Sequence, residues 1–118
     1  MRVLIVAALS SIVASNAMAE ACLIHSADSQ VDVRLCQQNR SIPPHLFRNG
    51  FCQPQLQGQK VEVQYIEQCP IGAFGICRNA AAGGPAYRQD IHYYGVASDS
   101  RLLKPYCEKQ NKGVWTQY

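Results

Sequence analysis

The sequence contains no apolar run long enough to cross a membrane and no concentration of charge of one sign. Its longest apolar stretch, residues 3–13, includes two serines and falls short of the about 20 residues that a spanning helix needs. We therefore expect no stable membrane insertion. Basic residues exceed acidic ones by only three over the whole chain, and no basic run stands out, so we expect no nucleic-acid partner.

Several motifs of enzymes and metal proteins are also missing. Zinc sites usually contain close cysteine pairs such as Cys-x2-Cys, but the two closest cysteines are Cys69 and Cys77. The chain has no nucleophile-elbow motif. It also has no glycine-rich loop that follows a strand and opens a helix, since Gly83-Gly84-Pro85 is typical of a turn. We expect neither a metal ion nor a cofactor.

The first 19 residues have the pattern of a cleaved secretory signal peptide. Arg2 supplies a positive charge, the apolar run follows, and Ala17-Met18-Ala19 offers small residues at a cleavage site. A membrane anchor or a buried helix is the alternative, but the apolar run is too short for an anchor. Lipid attachment at Cys22 is disfavoured by Glu20, two residues before it, where lipoproteins usually have a small residue. We expect a periplasmic or secreted protein.

The remaining 99 residues, 20–118, suffice for one domain. They carry ten basic and eight acidic residues, a net charge of +2. All six cysteines lie in this part, and an even number in a short exported chain predicts three disulfides. Each bridge is expected to stabilise the fold by about 3 kcal/mol. The cysteines are Cys22, Cys36, Cys52, Cys69, Cys77 and Cys107.

Hydrophobic periodicity predicts an α+β fold, with a small antiparallel sheet of three to five strands and two short helices. Residues 27–38 fit either a strand or a helix, and the alternation of Val31, Val33 and Leu35 favours the strand. Pro105 conflicts with a straight second helix. The other predicted strands are 60–68, 74–79, 87–94 and 114–118, and the predicted helices are 45–51 and one capped by a serine within 98–100.

Two segments of the chain resemble each other, which predicts a pseudo-repeat with halves at 22–68 and 69–118. In each, a short helix ends in an aromatic residue and cysteine, and a glycine-containing loop leads to a strand that ends Gln-Tyr. Leu35-Cys36 and Ile76-Cys77 would be the matching upstream strand ends. Of the fifteen pairings open to six cysteines, the repeat favours Cys36–Cys52, Cys77–Cys107 and Cys22–Cys69.

The second half carries a recurring pattern: Cys69-Pro70, Gly75 to Cys77, Tyr93-Tyr94, Cys107, and Gly113 to Trp115. It resembles a motif of small, mostly uncharacterised exported bacterial proteins and lipoproteins. This chain has Lys112-Gly113-Val114 where such proteins often have two glycines before the tryptophan. The resemblance implies the compartment and the fold style, and it implies no catalytic residue.

Two groups of side chains are candidates for function. His25, His45 and His92 are the only histidines and would be the acid–base groups of a secreted hydrolase, although their spacing does not bring them together. The aromatic residues of the second half are candidates for binding anchors, with Tyr93, Tyr106 and Trp115 expected in the core. On the opposite face of the same strand we expect a contact surface formed by Arg88, Asp90, His92 and Tyr94.

These observations favour an exported, non-enzymatic binding protein with a protein partner. An inhibitor or immunity-type protein of the bacterial envelope is its most concrete form. A small secreted hydrolase or effector that uses the histidines is one alternative, and a structural envelope protein is another.

Overall fold

The computed structural model describes residues 20–27, 32–52, 60–84 and 86–118. The predicted signal peptide, residues 1–19, lies outside them. One antiparallel sheet contains six strands in the order β3-β1-β2-β5-β4-β6, and two short helices accompany it, which confirms the α+β class. The elements are β1 (Ala21–Ala27), β2 (Asp32–Asn39), α1 (Pro44–Leu46), β3 (Lys60–Ile66), β4 (Gly75–Ala81), β5 (Arg88–Tyr94), α2 (Ser100–Pro105) and β6 (Val114–Gln117).

The sheet has one strand more than the three to five that we predicted, because β1 was missed. This strand pairs with β2 on one side and β3 on the other. Its core positions are Cys22, Ile24 and Ser26, of which only Ile24 is a large aliphatic residue. The alternation of apolar and polar residues that identifies a strand is therefore weak.

Both helices change geometry along their length. α1 begins at Pro44, where a missing N–H is tolerated, and continues as a π-helical turn over Phe47–Phe51. α2 follows a 3-10 turn and continues as a π-helical turn over Tyr106–Gln110. Pro105 is the last residue of the α-helical part. The chain continues from it as a wider π-helical turn, so the proline does not lie inside a straight α-helix, which was the conflict expected from the sequence. No helix in the described part of the chain has the length and apolar character needed to cross a membrane.

The expected serine cap of α2 is absent. The Ser100 hydroxyl donates a hydrogen bond to the carbonyl of Ala97 at 2.7 Å instead of accepting one from a helix N–H. The hydroxyl therefore joins the 3-10 turn to the first residue of the helix.

One row of side chains crosses all six strands and defines the face that the helices cover. Each member is paired in register with the next, so all point to the same side of the sheet. Disulfides from Cys22 to Cys52 and from Cys77 to Cys107 attach both helices to this side, which we call the helix face. In order, the row is Tyr65, Cys22, Gln37, Ile91, Cys77 and Trp115.

The bridge between Cys77 and Cys107 confirms one of the three predicted pairs, and the other two predictions are wrong. The structure joins Cys22 to Cys52 and Cys36 to Cys69. Cys36 precedes Gln37 on β2, so its side chain points away from the helix face. It therefore cannot reach Cys52, which lies on the helix side of the sheet.

The two halves of the sheet have the same element order, strand–strand–helix–strand, with the first strand in the middle. They meet where β2 pairs with β5 and Gln37 lies opposite Ile91. Cys77 occupies in the second half the position that Cys22 occupies in the first. The comparison of the two sequence segments had matched Cys77 with Cys36 instead. Each of these two cysteines is bridged to a partner 30 residues later.

Two buried clusters on the helix face form the core. Phe47 is fully buried in the first, against β1 and Ile42. In the second, Tyr93 packs against Trp115 with ring centroids 5.7 Å apart, and burial, with a smaller contribution from Tyr106, raises the pKa of Tyr93 to about 12. Tyr106 itself is 53% exposed, so its expected place in the core is wrong. Leu35 packs against both clusters and joins them.

Candidate binding surface

The four residues expected to form a contact surface share the side of the sheet that faces away from the helices. Arg88, Asp90, His92 and Tyr94 alternate along β5 with residues such as Ile91 that point to the helix face. We call their side the outer face. The four residues share one face of the strand, as the sequence predicted, while their part in binding stays a prediction.

Among the residues that the structure describes, the segment 67–74 lies across the outer face, and we call it the crossing loop. Cys69 is bridged to Cys36 of β2, and its N–H donates to Oε1 of Gln38 at 2.9 Å. Further along, the N–H of Phe74 donates to the carbonyl of Tyr93 at 3.0 Å. The loop is therefore fastened near both ends to strands in the middle of the sheet.

The hydroxyl of Tyr94 holds the middle of the crossing loop by donating a hydrogen bond to the carbonyl of Pro70. Burial raises the pKa of this hydroxyl, so the group keeps its proton and stays a donor at neutral pH. Tyr94 therefore positions the loop, and its part in a contact surface stays a prediction.

The fastened loop presents an aliphatic side chain to solvent. Ile71 is 100% exposed, although it follows directly on the anchored residues Cys69 and Pro70. Gly72, the next residue, has a φ of +107°, a conformation that favours glycine. An exposed aliphatic side chain on a constrained loop is an arrangement that contributes to binding at low entropic cost.

Beside the loop lies a cleft of about 430 Å³. One wall is the crossing loop and the other is formed by strands β4 and β5 with the chain terminus. The lining combines aliphatic and proline side chains with a guanidinium, an imidazole and a phenol, so the cleft suits a ligand with both apolar and polar groups. The residues are Cys69, Pro70, Ile71, Gly72, Ala73, Ile76, Arg78, His92 and Tyr118.

Asp90 lies at the centre of the charged part of the outer face and is nearly buried, with 7% of the residue exposed. Both of its oxygens accept hydrogen bonds from Nη1 of Arg40 at 3.2 Å. Nη1 of Arg78 lies 4.0 Å from Oδ2. The strand register shifts between Cys77 and Ala80, and the N–H of Asn79 within this bulge donates to Oδ1 at 2.8 Å.

His92 lies between this charged group and the cleft. Burial lowers the pKa of His92 from its ordinary value of 6.5, Asp90 acts in the opposite direction, and Arg78 lowers it further. The imidazole is therefore neutral at neutral pH and is available as both a donor and an acceptor.

The structure does not bring the three histidines together. His25 and His92 point to the outer face from strands β1 and β5, which are separated by β2. His45 is in α1, on the other side of the sheet. Among the described residues, no group of three or more His, Cys, Asp or Glu side chains is placed to hold a metal ion, and all six cysteines are in disulfides.

Sequence reasoning missed Arg40, Ile71 and Arg78 as members of this surface. Arg78 had a usable signal, since it follows Cys77 on a predicted strand and must point to the opposite face from that cysteine. Arg40 and Ile71 lie in connections, where periodicity gives no information about the direction of a side chain.

Comparison with protein-family models, with curated proteins and with solved structures finds no match to this chain.

Proposed function

We propose that the protein is an exported binding protein that engages a protein partner through the crossing loop and the adjacent outer face. Its most concrete form is an inhibitor or immunity-type protein of the bacterial envelope. The three disulfides indicate an oxidising compartment. Export through a signal peptide at residues 1–19, to the periplasm or the medium, is part of the proposal.

The observation that carries the proposal is the full exposure of Ile71 on a loop fastened at both ends. Single exposed aliphatic side chains are ordinary on protein surfaces, so exposure alone would carry no argument. Here the disulfide from Cys69 and the Tyr94 hydrogen bond fix the backbone next to the side chain. A side chain held in this way inserts into a partner's pocket with little loss of conformational entropy.

Affinity capture with matched variants tests the proposal. The purified protein is immobilised and exposed to envelope extract and culture medium of the source organism, beside Ile71→Asp and Leu102→Asp. Leu102 is the control, since it is aliphatic, 69% exposed and located in α2 on the other side of the sheet. We expect a partner that wild type and Leu102→Asp retain and Ile71→Asp loses.

A captured protein that is equally retained by Ile71→Asp would contradict the proposal, as would the failure of the wild type to retain any protein. If the partner is a hydrolase, adding the wild type should also lower its activity, and Ile71→Asp should lower it less.

A further inference from the structure

Three arginines lie near Asp90, whose carboxylate is buried on the outer face. Arg40 and Arg78 approach Asp90 directly. Arg88 lies two residues before Asp90 on the same face of β5, and its Nη1 donates to the carbonyl of Asn79 at 3.2 Å. We call Arg40, Arg78 and Arg88 the arginine cluster. In the patch that this cluster forms with Asp90, Arg40 and Arg78 alone bring two positive charges against one negative charge.

Asp90 cannot neutralise both Arg40 and Arg78. Its carboxylate already accepts hydrogen bonds from Arg40 and from the N–H of Asn79, while each guanidinium carries five N–H donors. The side chains of Arg40 and Arg78 are 48% and 40% exposed, against 10% for Asp90. The patch therefore presents excess positive charge and guanidinium donors to solvent.

We propose that the arginine cluster binds an acidic peptide segment of the partner, with a carboxylate on the guanidinium groups and a neighbouring apolar side chain in the cleft. This inference rests on the proposed function. A guanidinium pairs with a carboxylate through parallel N–H···O bonds, which give geometric specificity as well as attraction.

Because Arg78 belongs to both regions, we expect the bound peptide segment to combine acidic and apolar side chains. Arg78 belongs to the arginine cluster through Asp90, and it also lines the cleft with Ile71 and Ile76. Its Nε donates to the Thr116 hydroxyl at 3.1 Å, which fixes the guanidinium at the border between the two regions. A polysaccharide or a nucleic acid would supply the negative charge without an aliphatic side chain for the cleft.

Binding of two matched peptides tests this inference on the whole mature protein. The probes are a short fluorescein-labelled peptide that alternates Glu with Leu, and the same peptide with Gln in place of Glu. We expect fluorescence anisotropy to show binding of the Glu peptide that weakens as the salt concentration rises. The Gln peptide should bind at least about tenfold more weakly, because it lacks the charge-assisted hydrogen bonds.

Substitutions of single arginines test whether the arginine cluster is the binding site of the Glu peptide. Arg40→Gln, Arg78→Gln and Arg88→Gln should each weaken binding of the Glu peptide several-fold. Arg101→Gln, which alters an exposed arginine of α2, should leave it unchanged. Arg78 also contacts Tyr118, so that variant is interpreted only if circular dichroism shows a folded protein. The comparison of the two peptides on wild type needs no variant.

Three results would overturn the inference: equal binding of the two peptides, unchanged binding in all folded arginine variants, or tighter binding of heparin or single-stranded DNA than of the Glu peptide. The last would assign the patch to another class of polyanion. The arginine variants are also tested in the capture experiment. If they retain a partner that Ile71→Asp loses, this inference fails and the proposed function stands. If the Glu peptide binds but no partner depends on Ile71, the proposed function fails alone.

Discussion

Cys22 and Cys77 occupy the same position in the two halves of the sheet. Each lies on the middle strand of a three-stranded unit, points to the helix face, and is bridged to a cysteine 30 residues later. The third bridge, from Cys36 to Cys69, has no counterpart of this kind. It joins the outer face of the first unit to the segment that precedes the second.

This difference predicts the result of removing the third bridge alone. Peptide mapping of the unreduced protein should recover the pairs 22–52, 36–69 and 77–107. The double variant Cys36→Ala and Cys69→Ala opens a loop of sequence separation 33, so the free energy of unfolding should fall by about 3–4 kcal/mol. Urea denaturation measures the loss. Because both helix bridges remain, far-ultraviolet circular dichroism of the folded variant should match that of the wild type.

A second prediction concerns the close approach of Gly75 to Trp115. A Cβ at Gly75 would overlap the indole ring, so Gly75→Ala forces Trp115 out of its position beside Tyr93. We expect a destabilisation of about 1–3 kcal/mol and a change in tryptophan fluorescence. Gly50→Ala is the control, since a Cβ there has no neighbour within 4 Å and its φ is not positive. If Gly75→Ala left the free energy of unfolding unchanged, the close approach of Gly75 to Trp115 would be contradicted.

A third prediction concerns the charge of Asp90. Asp90→Asn keeps the shape of the side chain but removes the negative charge between Arg40 and Arg78, so the two guanidinium groups lose their common partner. The free energy of unfolding should fall by about 2 kcal/mol. Asp99→Asn, which alters an exposed residue of the 3-10 turn, should change it by less than about 0.5 kcal/mol. Equal effects of the two variants would argue against an ion pair between the buried Asp90 carboxylate and its arginines.

A fourth prediction is a pH dependence of stability that arises from His92. Its pKa is lowered in the folded protein, chiefly by burial, so below about pH 6.5 the unfolded chain binds more protons at this residue than the folded protein does. The resulting stability is fully present above that pH and is lost as the pH falls towards the lower folded value. Urea denaturation between about pH 7.5 and 5 should show this loss.

Substitution separates the contribution of His92 from that of other groups. His92→Gln should flatten the pH dependence of the unfolding free energy, and His45→Gln, an exposed site in α1, should not. A slope that His92→Gln leaves unchanged would assign the pH dependence to a different residue.

Much of the fold followed from local pattern. The alternating pattern predicted β3, and the helix predicted over 45–51 and the turn predicted before β5 also lie close to their positions in the structure. These elements were predictable because propensity and periodicity agree within a few residues. The strand alternation on β5 also predicted which of its side chains share the outer face.

The errors came from what periodicity does not contain. Missing β1 left Cys22 without a place in the repeat, so Cys36 was matched with Cys77 and two bridges were mispaired. Correct pairing requires the register between strands, which brings Cys22 beside Gln37 and Cys77 beside Ile91. The contact of Arg40 with Asp90 spans 50 residues and likewise depends on which strands are neighbours.

The bridge between Cys36 and Cys69 differs from the other two in its access to solvent. Cys22, Cys52, Cys77 and Cys107 are fully buried, as is Cys36, whereas Cys69 is partly exposed. A reductant therefore reaches this bridge first, because the rate of thiol–disulfide exchange depends on access to a sulfur. Mild reduction would remove the covalent attachment of the crossing loop while both helices stay attached to the sheet, so that hydrogen bonds alone would hold the segment that carries Ile71.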